Sequence, residues 1–358
     1  MKVYAYMAAI VKAFDFLGAW QKIGFTLWCC GVALSASCQV SAVADALVGV
    51  ELPSVAALEK RLRRWLSNPH ISDELLSQQW VKLVYQQLAS DEWVVLVDET
   101  KLGSHLSVMM VGVAYRSRAI PLLWHCYQPQ AYPSMGQVKL IADLIERLRL
   151  LVPPSVALVV QADRGIGTSP DLIRALDRIG VRYLLRVQGQ VRVRLKNGKE
   201  HPLTHLVQPG TQWCGRVEMF KKAGWLRVFV RLDWRRGEAS PWCLVTNDVW
   251  QQASNYRQRG WHEHSFRDLK SFGLNWQASH VFDPSHAHRL LFVLAIVYSW
   301  IITQAVQATP EERLSPSRSH PRQSIFRRGL RWLRQQLNLT HPALTAGLCF
   351  APPLQRNC

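Results

Sequence analysis

Four polar residues share one segment of the chain, "YRQRGWHEHSFRDLK", residues 256–270. On a helix advancing about 100° per residue, Arg259, Glu263 and Lys270 fall close to Tyr256 in a cluster roughly 60° wide. A solvated helix face spreads its charges more broadly than this. One carboxylate set among cationic and phenolic groups suits holding something anionic, with a metal as intermediary. Two further carboxylates close apolar runs: Asp98 ends "VVLVD" and Asp163 ends "ALVVQAD". An Asp at a strand end is commonly a turn former or helix cap, which is the bland reading of each residue alone. If the two strands are neighbours, both side chains emerge at the same sheet edge, where open α/β sheets place their chemistry. With Glu263, the set becomes three carboxylates from two strands and a helix. Such a set can hold two Mg²⁺ ions, which prefer oxygen ligands and substrate phosphate.

The elements that must position these groups follow from the apolar pattern. Residues 93–100 ("WVVLVDET"), 106–116 ("LSVMMVGVAYR") and 119–127 ("AIPLLWHCY") are apolar, partly β-branched and separated by short turns, which predicts three antiparallel strands. A helix over "MGQVKLIADLIERLRLL", a strand within 155–167, a helix over "SPDLIRALDRIG" and a strand at "VRYLLRVQG" follow. This is an α/β layered order. The continuous apolar runs predict strands covered on both faces. Residues 1–90 read as helical. Val55, Leu58, Leu62 and Leu66 recur at helical spacing before Asn68-Pro69, and Ser72 caps a second helix with Asp73 and Glu74 in its first turn. Lys60, Arg61, Arg63 and Arg64 on the first of these suit phosphate contact, with a solvated helix face as the competing reading.

Composition agrees with a polyanionic partner. The 358 residues carry 43 Lys+Arg against 25 Asp+Glu, a formal charge of +18 that favours nucleic acid or an anionic surface. An apolar content of 49% supports a large core and argues against disorder. The eight cysteines form no CxxC pair and no zinc spacing, so they read as buried thiols of a reducing compartment. The uncharged run 23–44 has some features of a signal peptide or membrane helix. The mixed, charged residues before it and its Ser, Gln and Gly content favour a buried helical pair instead. "LLFVLAIVYSWII" (290–302) is too short for a membrane span and reads as a core helix. "HEH" at 262–264 lacks the spacing of a zinc site.

Taken together, "VDET", "ADRGIG" and "YRQRGWHEHSFRDLK" resemble the three catalytic motifs of bacterial insertion-sequence transposases of the DDE type. The subgroup is the insertion-sequence-four family, whose signature Tyr-x2-Arg-x3-Glu-x6-Lys is met at all three spacings by Tyr256, Arg259, Glu263 and Lys270. The resemblance runs from about residue 55 to 305 and includes "RLRRWLSNP", "WCLVTND" and "SFGLNWQASHVFDPSHAHRLLFVLAIVYSW". One departure stands out: Gly260 separates Arg259 from Trp261, where many members place the tryptophan directly after the arginine. A glycine there bends the helix and loosens the facing angles given above.

The resemblance implies an RNase H-like mixed sheet flanked by helices, with a β-rich insertion and an N-terminal helical region. On this reading residues 1–90 bind DNA, 91–188 and 246–307 form the two parts of the catalytic core, 189–245 form the insertion, and 308–358 are a basic tail. The tail from Pro310 reads as a Pro/Ser linker followed by a basic amphipathic helix. From Arg182 to Arg236 there are thirteen Lys/Arg against three acids, which suits tracking of phosphates. Asp98, Asp163 and Glu263 would hold two Mg²⁺ (or Mn²⁺) ions, with Asp98 bridging. Arg259 and Lys270 would hold phosphates near the scissile end, and Tyr256 would orient one by its hydroxyl.

The implied activity is metal-dependent cleavage at terminal inverted repeats, hairpin formation and joining to target DNA. A homodimer in a synaptic complex would carry it out, in the cytoplasm with the nucleoid and without membrane association. Trp225, Trp234, Trp242 and Trp261 are candidates to stack a flipped base, each with a core role as the plain alternative. Two other readings remain open at this point: a nuclease of the same fold that cuts without joining, and a non-catalytic DNA-binding repressor derived from a transposase.

Overall fold

The computed structural model describes residues 2–48, 54–271, 273–308, 324–337, 344 and 348–350. Five helices open the chain: α1 (Lys2–Val11), α2 (Ala19–Ser35), α3 (Val40–Leu47), α4 (Val55–Leu66) and α5 (Asp73–Gln87). The Ser54 and Ser72 hydroxyls accept from the Ala57 and Leu75 amides, so both serine caps are formed. Leu58, Leu62, Trp65 and Leu66 bury one face of α4, while Lys60, Arg63 and Arg64 stay exposed on the other and Arg61 lies over the Trp20 ring. The uncharged run 23–44 forms most of α2 and α3, bent by 92° and largely buried, as a helical pair.

The sheet follows: β1 (Glu92–Leu102), β2 (Leu106–Tyr115), β3 (Arg118–Tyr127), α6 (Gly136–Leu151), β4 (Ala157–Ala162), the short α7 (Arg164–Gly167), α8 (Pro170–Ile179) and β5 (Arg182–Arg186). Then come β6 (Arg192–Arg194), β7 (Glu200–Pro202), β8 (Gln212–Met219), β9 (Leu226–Asp233) and β10 (Trp242–Thr246). The described strands form one mixed sheet of ten in the order β3-β2-β1-β4-β5-β10-β9-β8-β6-β7. The architecture is α/β and agrees with the RNase H-like fold implied above. The strands of 189–245 continue the same sheet, because β10 pairs with β5 on one side and β9 on the other. Pro121 lies in β3, whose place at the sheet edge and register shift opposite Val111/Gly112 spare it an interior amide bond.

Register sets the site. β1 runs parallel to β4 from Glu92↔Ala157 to Leu96↔Gln161, and there the pairing stops. On its other edge β1 stays paired with β2 as far as Leu102↔Leu106. Two more rungs of the parallel register would set Asp98 opposite Asp163. β1 thus extends past its β4 partner with one edge open, and Asp98 lies inside the strand rather than closing it as the sequence reading had it.

After β10 a 3₁₀ segment (Ala253–Gly260) leads into α9 (Trp261–Lys270), and α10 (Pro284–Ala308) and α11 (Ile325–Leu337) complete the described fold. α10 is longer than the 290–302 run suggested. Its 25 residues would reach across a bilayer, yet 94% of its most apolar window is buried against the rest of the chain. Its neighbours explain this: α2, α4, α5, β3 and α11 all pack on it. α11 is the amphipathic helix read near the C-terminus, and its apolar face, with Ile325, Phe326, Gly329 and Leu333 buried, joins the core. A side chain at Gly329 would meet the Ile301 carbonyl oxygen at 2.2 Å, which shows how closely the two helices approach. The expected linker from Pro310 lies mostly outside the described residues. Cys29, Cys30, Cys38, Cys126 and Cys243 are free buried thiols as expected, but Cys214 and Cys349 are free and exposed.

Candidate active site

Asp163 follows β4 and caps α7. Its Oδ1 accepts from the Gly165 and Ile166 amides at 2.9 and 3.0 Å, which fixes the carboxylate and leaves Oδ2 facing Arg259. The helix-cap reading of this residue is thus met by one oxygen, and the other stays free of the cap. Of the glycines of "RGIG", Gly167 is required by space and Gly165 sits in a tighter than usual place. A Cβ at Gly167 would lie 2.3 Å from the Arg186 carbonyl oxygen of β5, and one at Gly165 would lie 3.3 Å from Asp163 Oδ1.

Asp98 accepts from the Glu99 amide at 3.0 Å through Oδ1. Its side chain is only 15% exposed. Burial pushes its pKa up from 3.8 to about 6, although Arg259 pulls it down; the nearby Asp163 and Glu263 charges add to the rise. A carboxylate held in this state gains from any added cation.

The segment 256–270 is not one α-helix. Tyr256 and Arg259 lie on the 3₁₀ segment, where three residues make a turn and positions i and i+3 eclipse. They consequently share a face more closely than α-helical angles gave. Gly260 has φ −62° and ψ −11°, an ordinary right-handed value, so it joins the two helices without a kink of its own. The segment is tethered to the end of β4 by two hydrogen bonds. Gln161 Nε2 donates to the Asn255 carbonyl at 3.1 Å, and the Tyr256 hydroxyl donates to the Ala162 carbonyl at 3.1 Å. The sequence reading gave that hydroxyl a phosphate to orient. In the structure Tyr256 is buried, packs edge-on against Trp242 and braces the residue next to Asp163.

Arg259 stands at the centre of the three carboxylates. Its Nη2 is 3.0 Å from Asp98 Oδ2 and 3.5 Å from Asp163 Oδ2, and its Nη1 is 2.5 Å from Glu263 Oε1. The guanidinium is 14% exposed, whereas Glu263 is 63% exposed. Burial alone would lower the Arg259 pKa, but Asp98 and the other acids around it raise it. Its Nε is buried and has no partner among the described residues. Lys270 lies two turns beyond Glu263 on α9, partly buried. Burial lowers its pKa and the Asp98 charge opposes that. The structure thus brings Asp98, Asp163, Glu263 and Arg259 into direct contact, sets Lys270 within electrostatic reach and places Tyr256 behind them.

Sequence reasoning missed how α9 is held. His262, 1% exposed, bonds through Nε2 to the Leu96 carbonyl at 2.9 Å, at the open edge of β1. Burial lowers its pKa to about 4, so the ring is neutral and Nε2 is the donor. On the same buried stripe, Arg118 Nε donates to Asp268 Oδ2 at 2.6 Å in an ion pair whose side chains are 7% and 6% exposed. The Ala119 amide and the Tyr298 hydroxyl both donate to Ser265 Oγ, at 2.7 and 3.0 Å. Polar residues at 262, 265 and 268, beside Phe266 and Leu269 on the inward face, were the available signal. Such residues at core positions mark a hydrogen-bonded network.

Among the described residues no group of three His, Cys, Asp or Glu side chains is arranged to hold a metal ion as it stands. The carboxylates instead converge on one guanidinium. Their chemistry still fits a divalent cation: they are oxygen donors from a strand interior, a strand end and a helix, one is desolvated, and together they already satisfy a positive charge. The 3₁₀ segment, β8 and β9 line an open pocket of about 320 Å³. Arg231, Arg235 and Arg257 line it with Gln212, Gln252 and the single acid Asp233. Of the tryptophans considered, Trp225 lies against Arg194, Trp242 against Arg235 and Tyr256, and Trp234 bonds the Glu238 carbonyl; Trp261 is partly buried.

Residues 125–300, just under half of the chain, match the model of the transposase DDE domain. The match contains Asp163, Tyr256, Arg259, Glu263 and Lys270; Asp98 precedes it, on the strand that pairs with matched β4. No curated protein matches the chain. The domain match, on this sheet and around these carboxylates, supports a DDE transposase, an enzyme that cuts and joins DNA.

Proposed function

We propose that this protein is the transposase of an insertion sequence of the insertion-sequence-four type, acting on the inverted ends of its own element. The observation that carries the reading is the convergence of Asp98, Asp163 and Glu263, from two parallel strands and a helix, on the single guanidinium of Arg259. Asp98, Asp163 and Glu263 would together hold two divalent ions, Mg²⁺ or Mn²⁺. When bound, such ions supply Lewis-acid stabilisation of the attacking and leaving oxygens in an in-line displacement at phosphorus.

The chain's own residues do the positioning. The cap bonds to Gly165 and Ile166 aim Asp163 Oδ2 at Arg259, and Tyr256 braces the turn that carries it. The His262–Leu96 bond and the Arg118–Asp268 pair fix α9, and with it Glu263 and Lys270, over the open edge of β1. Arg259, as a planar fork, and Lys270, as a point charge, suit the phosphates flanking the scissile bond. The arginine-lined cavity next to the 3₁₀ segment extends this positive surface towards the β-rich residues 189–245, in keeping with a DNA path there. Residues 1–90, with the exposed basic face of α4, would read the element end. Hydrolytic cleavage exposes a 3′-OH, which attacks the opposite strand to form a hairpin and release the flanking DNA; hydrolysis of the hairpin regenerates the 3′-OH, which then attacks target DNA and joins the element to it. The work is done by a homodimer in a synaptic complex, in the cytoplasm where the chromosome lies.

The test is incubation of purified protein and Mg²⁺ with DNA carrying the inverted repeats that flank its gene. Cleavage at the element ends and joining to a plasmid are expected for wild type, and neither for Asp98→Ala. Cutting without joining would favour a nuclease of the same fold. Specific binding without any metal-dependent cutting would favour a repressor and overturn the proposal.

A further inference from the structure

The position of Arg259 carries a consequence for how the site is loaded. Nη2 lies 3.0 and 3.5 Å from oxygens of two aspartates on neighbouring strands, so it occupies the point between them. A divalent ion shared by those two carboxylates must compete with the guanidinium for the same oxygens. Nη1 holds the Glu263 carboxylate as well. One side chain therefore ties up all three acids. The guanidinium is also incompletely served: its Nε is buried and has no partner among the described residues. An arriving anion with several acceptor oxygens, such as a backbone phosphate, can satisfy the whole fork where the carboxylates satisfy only its two ends.

We propose that Arg259 is an internal counter-ion that couples metal loading to DNA binding. Without DNA it neutralises the carboxylates and competes with divalent cations for their oxygens. When DNA is bound, a phosphate draws the guanidinium away and the acids become available together. The device would keep a DNA-cutting site unloaded until substrate is present. Linkage makes the effect reciprocal, so metal in the site strengthens DNA binding by the same factor. This inference rests on the transposase reading for the identity of the anion as DNA.

The test is Mn²⁺ binding followed by loss of its free-ion EPR signal, with and without a short DNA duplex. Signal retained by the duplex alone or by an Asp98→Asn/Asp163→Asn double variant is subtracted. Arg259→Gln should bind Mn²⁺ about tenfold or more tightly than wild type in the absence of DNA. Duplex should tighten Mn²⁺ binding to wild type by a similar factor and change the variant much less. Lys270→Gln removes the same charge without freeing the carboxylates, and should gain far less than Arg259→Gln.

Arg259→Lys retains the charge but not the fork. It should fall between wild type and Arg259→Gln, and it gives the same ordering if the glutamine variant is unstable. Unchanged or weaker Mn²⁺ binding by the Arg259 variants, or an equal gain from Lys270→Gln, would overturn the inference. Cleavage activity with no such coupling would remove this inference alone. Absence of both cleavage and Mn²⁺ binding in wild type with DNA would remove the transposase reading too.

Discussion

Replacing Asp98 with asparagine should stabilise the metal-free fold at neutral pH while abolishing DNA cleavage. The carboxyl is 15% exposed, and burial raises its pKa from 3.8 to about 6 despite the contact with Arg259. In the folded chain its ionised form is therefore disfavoured, and asparagine resembles the neutral form in shape and hydrogen bonding. The gap between 3.8 and about 6 corresponds to at most ~3 kcal/mol. The sign follows from proton binding. Below about pH 4 the carboxyl is protonated in both folded and unfolded chains, and the two proteins differ little. Between about 4 and 6 the folded state holds the proton longer, so wild type loses stability relative to the variant as pH rises. Above about 6 the full difference is present. Urea unfolding in EDTA from pH 4 to 8 measures it. A variant less stable than wild type at pH 8, or a difference that does not change with pH, would refute the reasoning.

Three other outcomes follow from the contacts. Arg118→Met leaves Asp268 buried without its ion partner. It should destabilise the protein by about 3–5 kcal/mol, least at low pH where Asp268, its pKa already raised by burial, becomes neutral; urea melts across pH check this. Tyr256→Phe removes the hydroxyl bond to the Ala162 carbonyl. It should cost about 1 kcal/mol in the same assay and lower kcat more than it raises KM for DNA, since the hydroxyl braces the Asp163 turn rather than substrate. Arg257→Ala in the arginine-lined cavity should weaken DNA binding across sequences and reduce the salt dependence by about one phosphate contact, read from affinity at several salt concentrations.

Much of the site could be read from the chain because its residues mark themselves locally. Asp98 and Asp163 each end a β-branched apolar run, which reads as a buried strand. The spacing of Tyr256, Arg259, Glu263 and Lys270 identified a common face, although the 3₁₀ turn brings the first two together for a different reason. Interactions between distant segments were not legible. Nothing near residue 118 signals a partner at 268, nor does residue 256 signal that its hydroxyl turns inward to residue 162. The same applies to the sheet. The family resemblance gave a β-rich 189–245 but could not show that β10 welds its strands to the core. α10 was underestimated because its ends are polar. Its burial comes from five neighbouring elements, and no window of one helix records that.

The proposed chemistry requires Asp98, Asp163 and Glu263 to share divalent metal while DNA is engaged. The most direct measurement is anomalous diffraction from crystals of the protein bound to a DNA duplex and soaked in Mn²⁺. The account expects a manganese peak at about 2.1 Å from carboxylate oxygens of both Asp98 and Asp163, with Arg259 turned to a phosphate. Manganese found only elsewhere, with the guanidinium still seated among the three acids on bound DNA, would contradict it.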